Sequence, residues 1–417
     1  MLGNGNRRPA PWQGEHSPLA KAAQVADNES METIYLDHNA TTPICPEAVE
    51  AMAECQAEYT ANPASQHRPG QKAHKRLEDA RERMAELLGA ELTGTRGDRL
   101  VFTASATEAN NLAVLGIPTA LNGKPESVLV SSMEHASVIE PAEWLLEQGW
   151  RLDTLPATGD GVVRDEMLDE LLTDQTRLVS VLLSNHETGV IQPVERIAER
   201  CNAAEVPMHT DAAQSVGKVP VDFRGLGVSA MSIGAHKFRG PLGIGALLLR
   251  YDVDIRPLMF GGHQQQGIRP GTESVVLVVG MLAALEAAMK QREENARRMR
   301  QLRDRFEAGL KKGFDQLVVN GLGAERLPNA SNCAFPGIDG QVLLMALDIA
   351  GIASSAGSAC DSGSVELSPT LKAMGLKPEI VGSSIRFSLG TTTTEAEIDE
   401  AIHRILAVLD EMGSGRD

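Results

Sequence analysis

Aromatic residues make up only 3% of the 417-residue chain, which leaves little material for a surface that stacks bases or sugar rings. No block of lysine and arginine stands out against an acidic balance of 39 basic and 56 acidic residues, net charge −17 at pH 7. That sign argues against a nucleic-acid or anionic-membrane footprint. The five cysteines, Cys45, Cys55, Cys201, Cys333 and Cys360, are scattered and contain no C-x-x-C pair. Neither a disulfide framework nor a structural zinc site is expected, and no metal. No stretch approaches the roughly 18 apolar residues of a membrane span, and residues 1–30 lack the apolar core of a signal peptide. Together these absences favour small molecules and proteins as partners, with no nucleic acid and no membrane, in a reducing, cytoplasmic compartment.

A hydrophobic fraction of 42% over this length is enough for one large core plus a smaller lobe. Residues 1–30, rich in Gly, Pro, Asn and charge, read as a flexible arm. Helical and strand patterns then alternate, as βα units around a mostly parallel sheet do. The clearer strands are Leu100-Val101-Phe102-Thr103, Ser127-Val128-Leu129-Val130, Leu178-Val179-Ser180-Val181-Leu182-Leu183, Val206-Pro207-Met208-His209 and Ile244-Gly245-Ala246-Leu247-Leu248-Leu249. Their runs predict burial on both faces. From about Val278 to Gly313 a charged helix carries Leu282, Leu285, Met289, Met299, Leu302, Phe306 and Leu310 at near-helical spacing and bridges the lobes. The expected division is a large domain over 46–293 and a small domain made of 31–45 and 294–417.

Two apolar runs end in residues that belong together chemically. Ala230-Met231-Ser232-Ile233 leads into His236-Lys237, and Val206-Pro207-Met208 into His209-Thr210-Asp211-Ala212-Ala213-Gln214. A lysine and an aspartate, each just past a short strand, are what pyridoxal phosphate (PLP) needs: an amine to form a Schiff base and an anion to keep the ring nitrogen protonated. Alone, such a lysine is usually solvated and such an aspartate usually a turn residue. Thr103-Ala104-Ser105-Ala106-Thr107-Glu108-Ala109-Asn110-Asn111 follows a strand and opens a helix whose free N–H groups suit a phosphate, though an ordinary cap would look the same. His135 comes after another strand and titrates near neutrality. In open α/β sheets all these positions converge on the carboxyl edge of the strands.

The motifs Leu36-Asp37-His38-Asn39-Ala40-Thr41-Thr42-Pro43, Asn62-Pro63-Ala64-Ser65, Ala106-Thr107-Glu108, Glu134-His135, Asp211-Ala212-Ala213-Gln214-Ser215-Val216-Gly217-Lys218, His236-Lys237, Gly261-Gly262-His263-Gln264, Arg269-Pro270-Gly271-Thr272-Glu273, Gly357-Ser358-Ala359-Cys360 and Ser384-Ile385-Arg386-Phe387-Ser388-Leu389-Gly390 span about residues 34 to 390. In that order the chain resembles the PLP-dependent cysteine desulfurases of the class V aminotransferase family, the iron-sulfur cluster and nitrogenase type. The resemblance implies fold type I, with a mostly parallel seven-stranded α/β sheet in the large domain and a smaller α+β domain carrying the catalytic-cysteine loop. It implies conversion of L-cysteine to L-alanine in a homodimer, with sulfur passed as an enzyme persulfide to an acceptor protein such as a scaffold or sulfur carrier.

By the same resemblance Lys237 holds PLP and shuttles the Cα proton, Asp211 holds the pyridinium proton, and Gln214 and His186 meet the phenolic oxygen. His135 covers the ring and shares in proton transfer. Ala106, Thr107, Gly234 and His236 bind the phosphate, with Thr272 reaching over from the partner subunit. Arg386, with Asn39 and Asn185, takes the substrate, and Cys360 takes its sulfur. The Gly/Ser/Ala surroundings of Cys360 suit an accessible, reactive thiol rather than a packed one. Three positions depart from the family pattern: His186 stands where a second Asn is common, Gly234 where many relatives have Ser, and Asp361 where Thr is usual. A carboxylate beside Cys360 disfavours its thiolate. A selenocysteine lyase or another class V aminotransferase suits the same scaffold, and a non-catalytic sulfur-relay subunit is the reading from a different class.

Overall fold

The computed structural model describes residues 32–58, 61–120, 125–356 and 367–413; the arm at 1–30 and the loop residues Cys360 and Asp361 lie outside the described residues. Strand β1 (Ile34–Tyr35) opens the described chain. The main sheet comprises β2 (Arg99–Thr103), β3 (Ser127–Ser131), β4 (Arg151–Leu155), β5 (Thr176–Ser180), β6 (Met208–Asp211), β7 (Ala230–Gly234) and β8 (Gly245–Leu249). Their spatial order is β2-β8-β7-β6-β5-β3-β4. Every pairing is parallel except those of β8, which runs antiparallel to β2 and β7. This is the mostly parallel seven-stranded sheet that the resemblance implies.

Strands β3, β7 and β8 are buried along their whole length, as continuous apolar runs require. The edge strand β4 is largely open, which its Arg-Leu-Asp-Thr-Leu alternation accommodates. The expected strand at Leu178–Leu183 ends its regular pairing at Ser180, although Val181 and Leu183 still donate to His209 and Asp211 carbonyls at 3.1 and 2.9 Å. The expected start at Val206 moves to Met208, because Pro207 has no N–H to give a ladder.

A second group of strands, β9 (Val318–Val319), β10 (Ala330–Ala334) and β12 (Ser384–Ser388), forms a three-stranded antiparallel sheet, while β11 (Ile352–Ala353) pairs with β1. These strands share a core of Ile34, Leu36, Phe306, Phe335, Phe387 and Ile398, separate from the clusters on the main sheet. The long helix Val275–Gly313 starts three residues before Val278 because Ser274 caps it, its side chain accepting from Leu277 N. Its first half buries Val278 and Leu285 against the main sheet; its second half buries Leu302, Phe306 and Leu310 in the other core. Leu371, Met374 and Val381, late in the chain, pack with the main-sheet cluster.

Parallel register sets Asp211 of β6 opposite Ser232 of β7. Both strands therefore deliver their next residues to the same edge. Asp211 closes β6, and Lys237 lies in the short 3-10 turn Ala235–Phe238 after β7.

Candidate active site

Lys237 is held from the opposite lobe. Its Nζ donates to the carbonyls of Asn39 and Ala40, the latter at 2.9 Å. The strap that carries these carbonyls is tied to the lysine turn: Thr42 Oγ1 donates to His236 O at 2.6 Å and accepts from Arg239 N at 2.9 Å. Asp211 is 8% exposed. Its carboxylate accepts from Ala213 N at 2.8 Å and Asn110 Nδ2 at 2.7 Å, and no cation pairs with it among the described residues. Both donors are neutral.

The helix Ala106–Gly116 begins beside this turn. Ser105 Oγ accepts from Glu108 N at 3.2 Å and Glu108 Oε2 from Ala104 N at 2.5 Å. Ala106 and Thr107 N–H, in the first turn, have no carbonyl four residues back inside the helix. Approach to them is paved by glycine: a Cβ on Gly245 would come within 2.8 Å of Ala106 N, and one on Gly234 within 3.2 Å of Ala106 Cβ. That gives a steric reason for Gly234, since a serine there would crowd Ala106. His236 Nδ1 meets Thr41 Oγ1 at 3.1 Å; burial, then the charges of Lys237 and Lys218, bring its pKa down to about 4. Its imidazole is neutral at pH 7.

His135 caps the helix Ala136–Glu147, its Nδ1 accepting from Ser137 N at 3.0 Å, which puts the neutral ring's proton on Nε2. The rings of His135 and His186 meet edge to face at 5.1 Å. Burial, with His135, Arg386 and Lys237 nearby, lowers the His186 pKa well below its usual value, and its Nδ1 has no partner. Below them Glu134 Oε1 accepts from Ser131 Oγ and Leu182 N at 2.6 and 2.8 Å, yet burial raises its pKa to about 8. The carboxyl is protonated at neutral pH.

Arg386, on β12, is 2% exposed. It is not bare: one guanidinium nitrogen pairs with Asp37 Oδ1 at 2.7 Å and another donates to His186 O at 3.2 Å, while its Nε has no partner. Gln214 donates to Asn39 O at 2.9 Å and accepts from Lys218 Nζ at 3.0 Å.

Two residues expected at the substrate are hydrogen-bonded within the protein. Asn39, 1% exposed, donates from Nδ2 to His186 O, accepts at Oδ1 from Asn329 and at O from Lys237 and Gln214. Asn185, fully buried, accepts from Glu187 N, Thr188 N and Thr188 Oγ1 and donates to Met133 O at 3.0 Å. Short polar side chains hydrogen-bond nearby backbone groups in this way, so Asn185 builds the turn and Asn39 the strap. Thr272 lies exposed, shortly before the long helix, and the loop at Cys360 is outside the described residues.

Sequence reasoning gave no role to Asp37, Asn110 or Lys218, although all three lie inside runs it had marked. For Asn110 the signal was a polar residue between Ala109 and Leu112 on a buried helix face.

The donor set fits a phosphorylated pyridine ring: a buried anion lacking a cation at Asp211, a helix start cleared by Gly234 and Gly245, and an amine at Lys237. Arg386 Nε adds an unpartnered donor for a carboxylate. The aminotransferase class-V profile matches residues 34–401. An IscS-like cysteine desulfurase of Mycobacterium tuberculosis is 43% identical over 375 residues, 88% of this chain and 94% of that protein. A solved NifS-like protein superposes with a TM-score of 0.84 at 33% identity, over 91% of this chain and 99% of its own. Another solved protein, SspA in complex with cysteine, gives a TM-score of 0.75 at 29% identity over 87% of this chain and all of its own.

Proposed function

The chain belongs to the class V aminotransferases and, within them, to the cysteine desulfurases; from that premise we propose how its own residues divide the work. The reaction takes L-cysteine to L-alanine and hands the sulfur on. Bound PLP supplies an electron sink for the charge left at Cα when its proton departs. What carries the reading is the pairing of Lys237 and Asp211 at the ends of adjacent parallel strands, with Arg386 brought in beside His186 from the other lobe.

Lys237 would attach the cofactor through Nζ, and the same amine would take the Cα proton. Its two carbonyl partners aim the amine. Asp211 supplies the anion for the ring N–H, oriented by Asn110 and Ala213. Ala106, Thr107 and the neutral His236 would hold the phosphate beside Gly234, and Thr272 of a second copy would complete that site in a homodimer. His135 would cover the ring, and His186 and Gln214 would serve its phenolic oxygen. Arg386 binds the substrate carboxylate through its fork of donors.

To Cys360 we assign the sulfur: its thiolate attacks the substrate Sγ, the C–S bond breaks with its electrons going to the three-carbon fragment, and a persulfide remains on the enzyme. An acceptor protein then removes it. The four described cysteines are free and buried, which suits a reducing compartment such as the cytoplasm.

The test is direct. Purified protein given L-cysteine and a reductant is expected to be yellow and to form alanine and sulfide in equal amounts. Cys360→Ser keeps the colour and loses sulfide. Full sulfide release by that variant would overturn the persulfide route, and an uncoloured wild type would overturn the cofactor assignment.

A further inference from the structure

Lys218 is a second buried amine in this site. It is 7% exposed, and its Nζ donates to Gln214 Oε1 at 3.0 Å and approaches Asn39 Oδ1 at 3.5 Å. Neither partner is charged, and among the described residues no carboxylate lies within ion-pair distance of it. A buried lysine with no anion is costly unless something is gained from its place.

That place is behind Lys237. Asn39 receives the reacting lysine on its carbonyl and Lys218 on its side chain; Gln214 receives Lys218 on its oxygen and donates from its nitrogen to the same Asn39 carbonyl. Two residues therefore link the two amines. We propose that Lys218 is a positioning residue for Lys237, holding through Gln214 and Asn39 the carbonyl cradle that aims the reacting amine and sharing one buried charge with it. The inference rests on the functional reading of Lys237 given above.

The charge coupling is a consequence of Coulomb's law in a low-dielectric site: two ammonium groups this close are not both protonated at modest cost. Burial, then Lys237 and Arg386, bring Lys218 down to about 7, so it titrates within the working range of pH. The other charged groups around it are Arg239, His38, His236 and Glu47, in or beside the cavity it shares with Lys237. His38 and His236 are neutral, each held near 4. On a neighbouring groove Lys218 borders Glu195, Arg196, Arg292, Glu293, Arg300 and Glu325, none of which pairs with its amine. Lys218 is thus the amine that gives up its proton first, and the single buried charge of the pair stays on Lys237.

The experiment reads Lys237 without turnover. Full-length protein stripped of cofactor is pulsed with acetic anhydride across pH 6 to 11, and acylation of Lys237 and Lys218 is tracked by peptide mass spectrometry. The midpoint reports protonation whatever the accessibility. In Lys218→Arg, which cannot give up its charge, the Lys237 midpoint is expected to fall by about one unit or more, which is about ten-fold faster acylation at pH 7. Lys218→Met, uncharged as Lys218 itself is at that midpoint, leaves it close to the wild-type value. An unmoved midpoint in Lys218→Arg, or a rise of about a unit in Lys218→Met, overturns the proposal.

Should Lys218→Arg not fold, Lys237→Met gives the reciprocal measurement: the Lys218 midpoint rises by linkage, and an unchanged one overturns the proposal equally. Borohydride reduction of the wild-type holoenzyme, mapped by mass, tests separately whether the cofactor attaches at Lys237. Failure there sinks the functional reading, while the midpoint comparison still judges the coupling of the two amines.

Discussion

The two ends of this site hold buried charge in opposite ways. At the sheet end Asp211 is an anion kept by two neutral donors, Ala213 N–H and the Asn110 amide, with no cation of its own among the described residues. At the lobe end Arg386 is a cation already matched to an anion, Asp37, at 2.7 Å. The first end gains when a positive group arrives. The second must exchange or share a partner to take a carboxylate. On the proposed roles, cofactor capture and substrate capture are thus different problems, one of completing a charge pair and one of competing within it.

The largest test of the contrast is Asp211→Asn. An amide keeps the shape and removes the charge, so the ring nitrogen loses its anion; kcat is expected to fall roughly 10²–10³-fold, with colour retained. A turnover within about three-fold of wild type would mean that the sheet end does not work by charge. Arg386→Lys comes next: one point charge replaces a planar fork, and kcat/KM for cysteine is expected to drop about 10- to 100-fold. The loss is to appear mainly in KM; an unchanged KM would move the carboxylate to another group.

Asp37→Asn then separates competition from orientation. With the anion gone, the guanidinium is freer for the substrate carboxylate, and KM is expected to fall a few-fold. The fold gives up as much as about 3 kcal/mol, because a buried arginine has lost its partner. Urea midpoints and cysteine saturation curves read the two effects. A raised KM with unchanged stability would show that Asp37 only aims Arg386 and that the lobe end, like the sheet end, has no internal rival.

The contrast also explains what was legible in the sequence. The sheet, its mostly parallel pairing and the arrival of Asp211 and Lys237 at one edge come from local rules: apolar runs make buried strands, and parallel strands end on one edge. Arg386 was marked by its motif, but its partner Asp37 is 349 residues away, and no periodicity links them. Asn39 and Asn185 were expected at the substrate from the resemblance. The hydrogen bonds they make depend on which carbonyls the fold brings near, among them Met133 O and His186 O, and no spacing in the sequence gives those. Lys218 was hidden for the same reason: burial of a lysine is a tertiary fact that a charged, ordinary residue type conceals.

The smallest effect concerns why Asp211 has no cation. His209 stands two residues earlier on β6, on the same face, with Nδ1 against Ser180 Oγ and Nε2 against Ser232 Oγ, both at 2.9 Å. Burial lowers its pKa from 6.5 to about 4, outweighing the opposing pull of Asp211. Between those values the unfolded chain binds a proton that the native protein does not. Stability from this group is therefore whole above about 6.5 and is lost as pH falls toward 4. His209→Gln retains partners for both serines and removes the proton, so the slope of unfolding free energy against pH in that window is expected to become shallower. The change is at most one proton, about 1.4 kcal/mol per pH unit, with His38, His186 and His236 still contributing. Urea unfolding at a series of pH values from 4.5 to 7 measures it. An unchanged slope would mean that His209 is already charged in the fold, that Asp211 carries a cation beneath it, and that the two ends of the site are matched pairs alike.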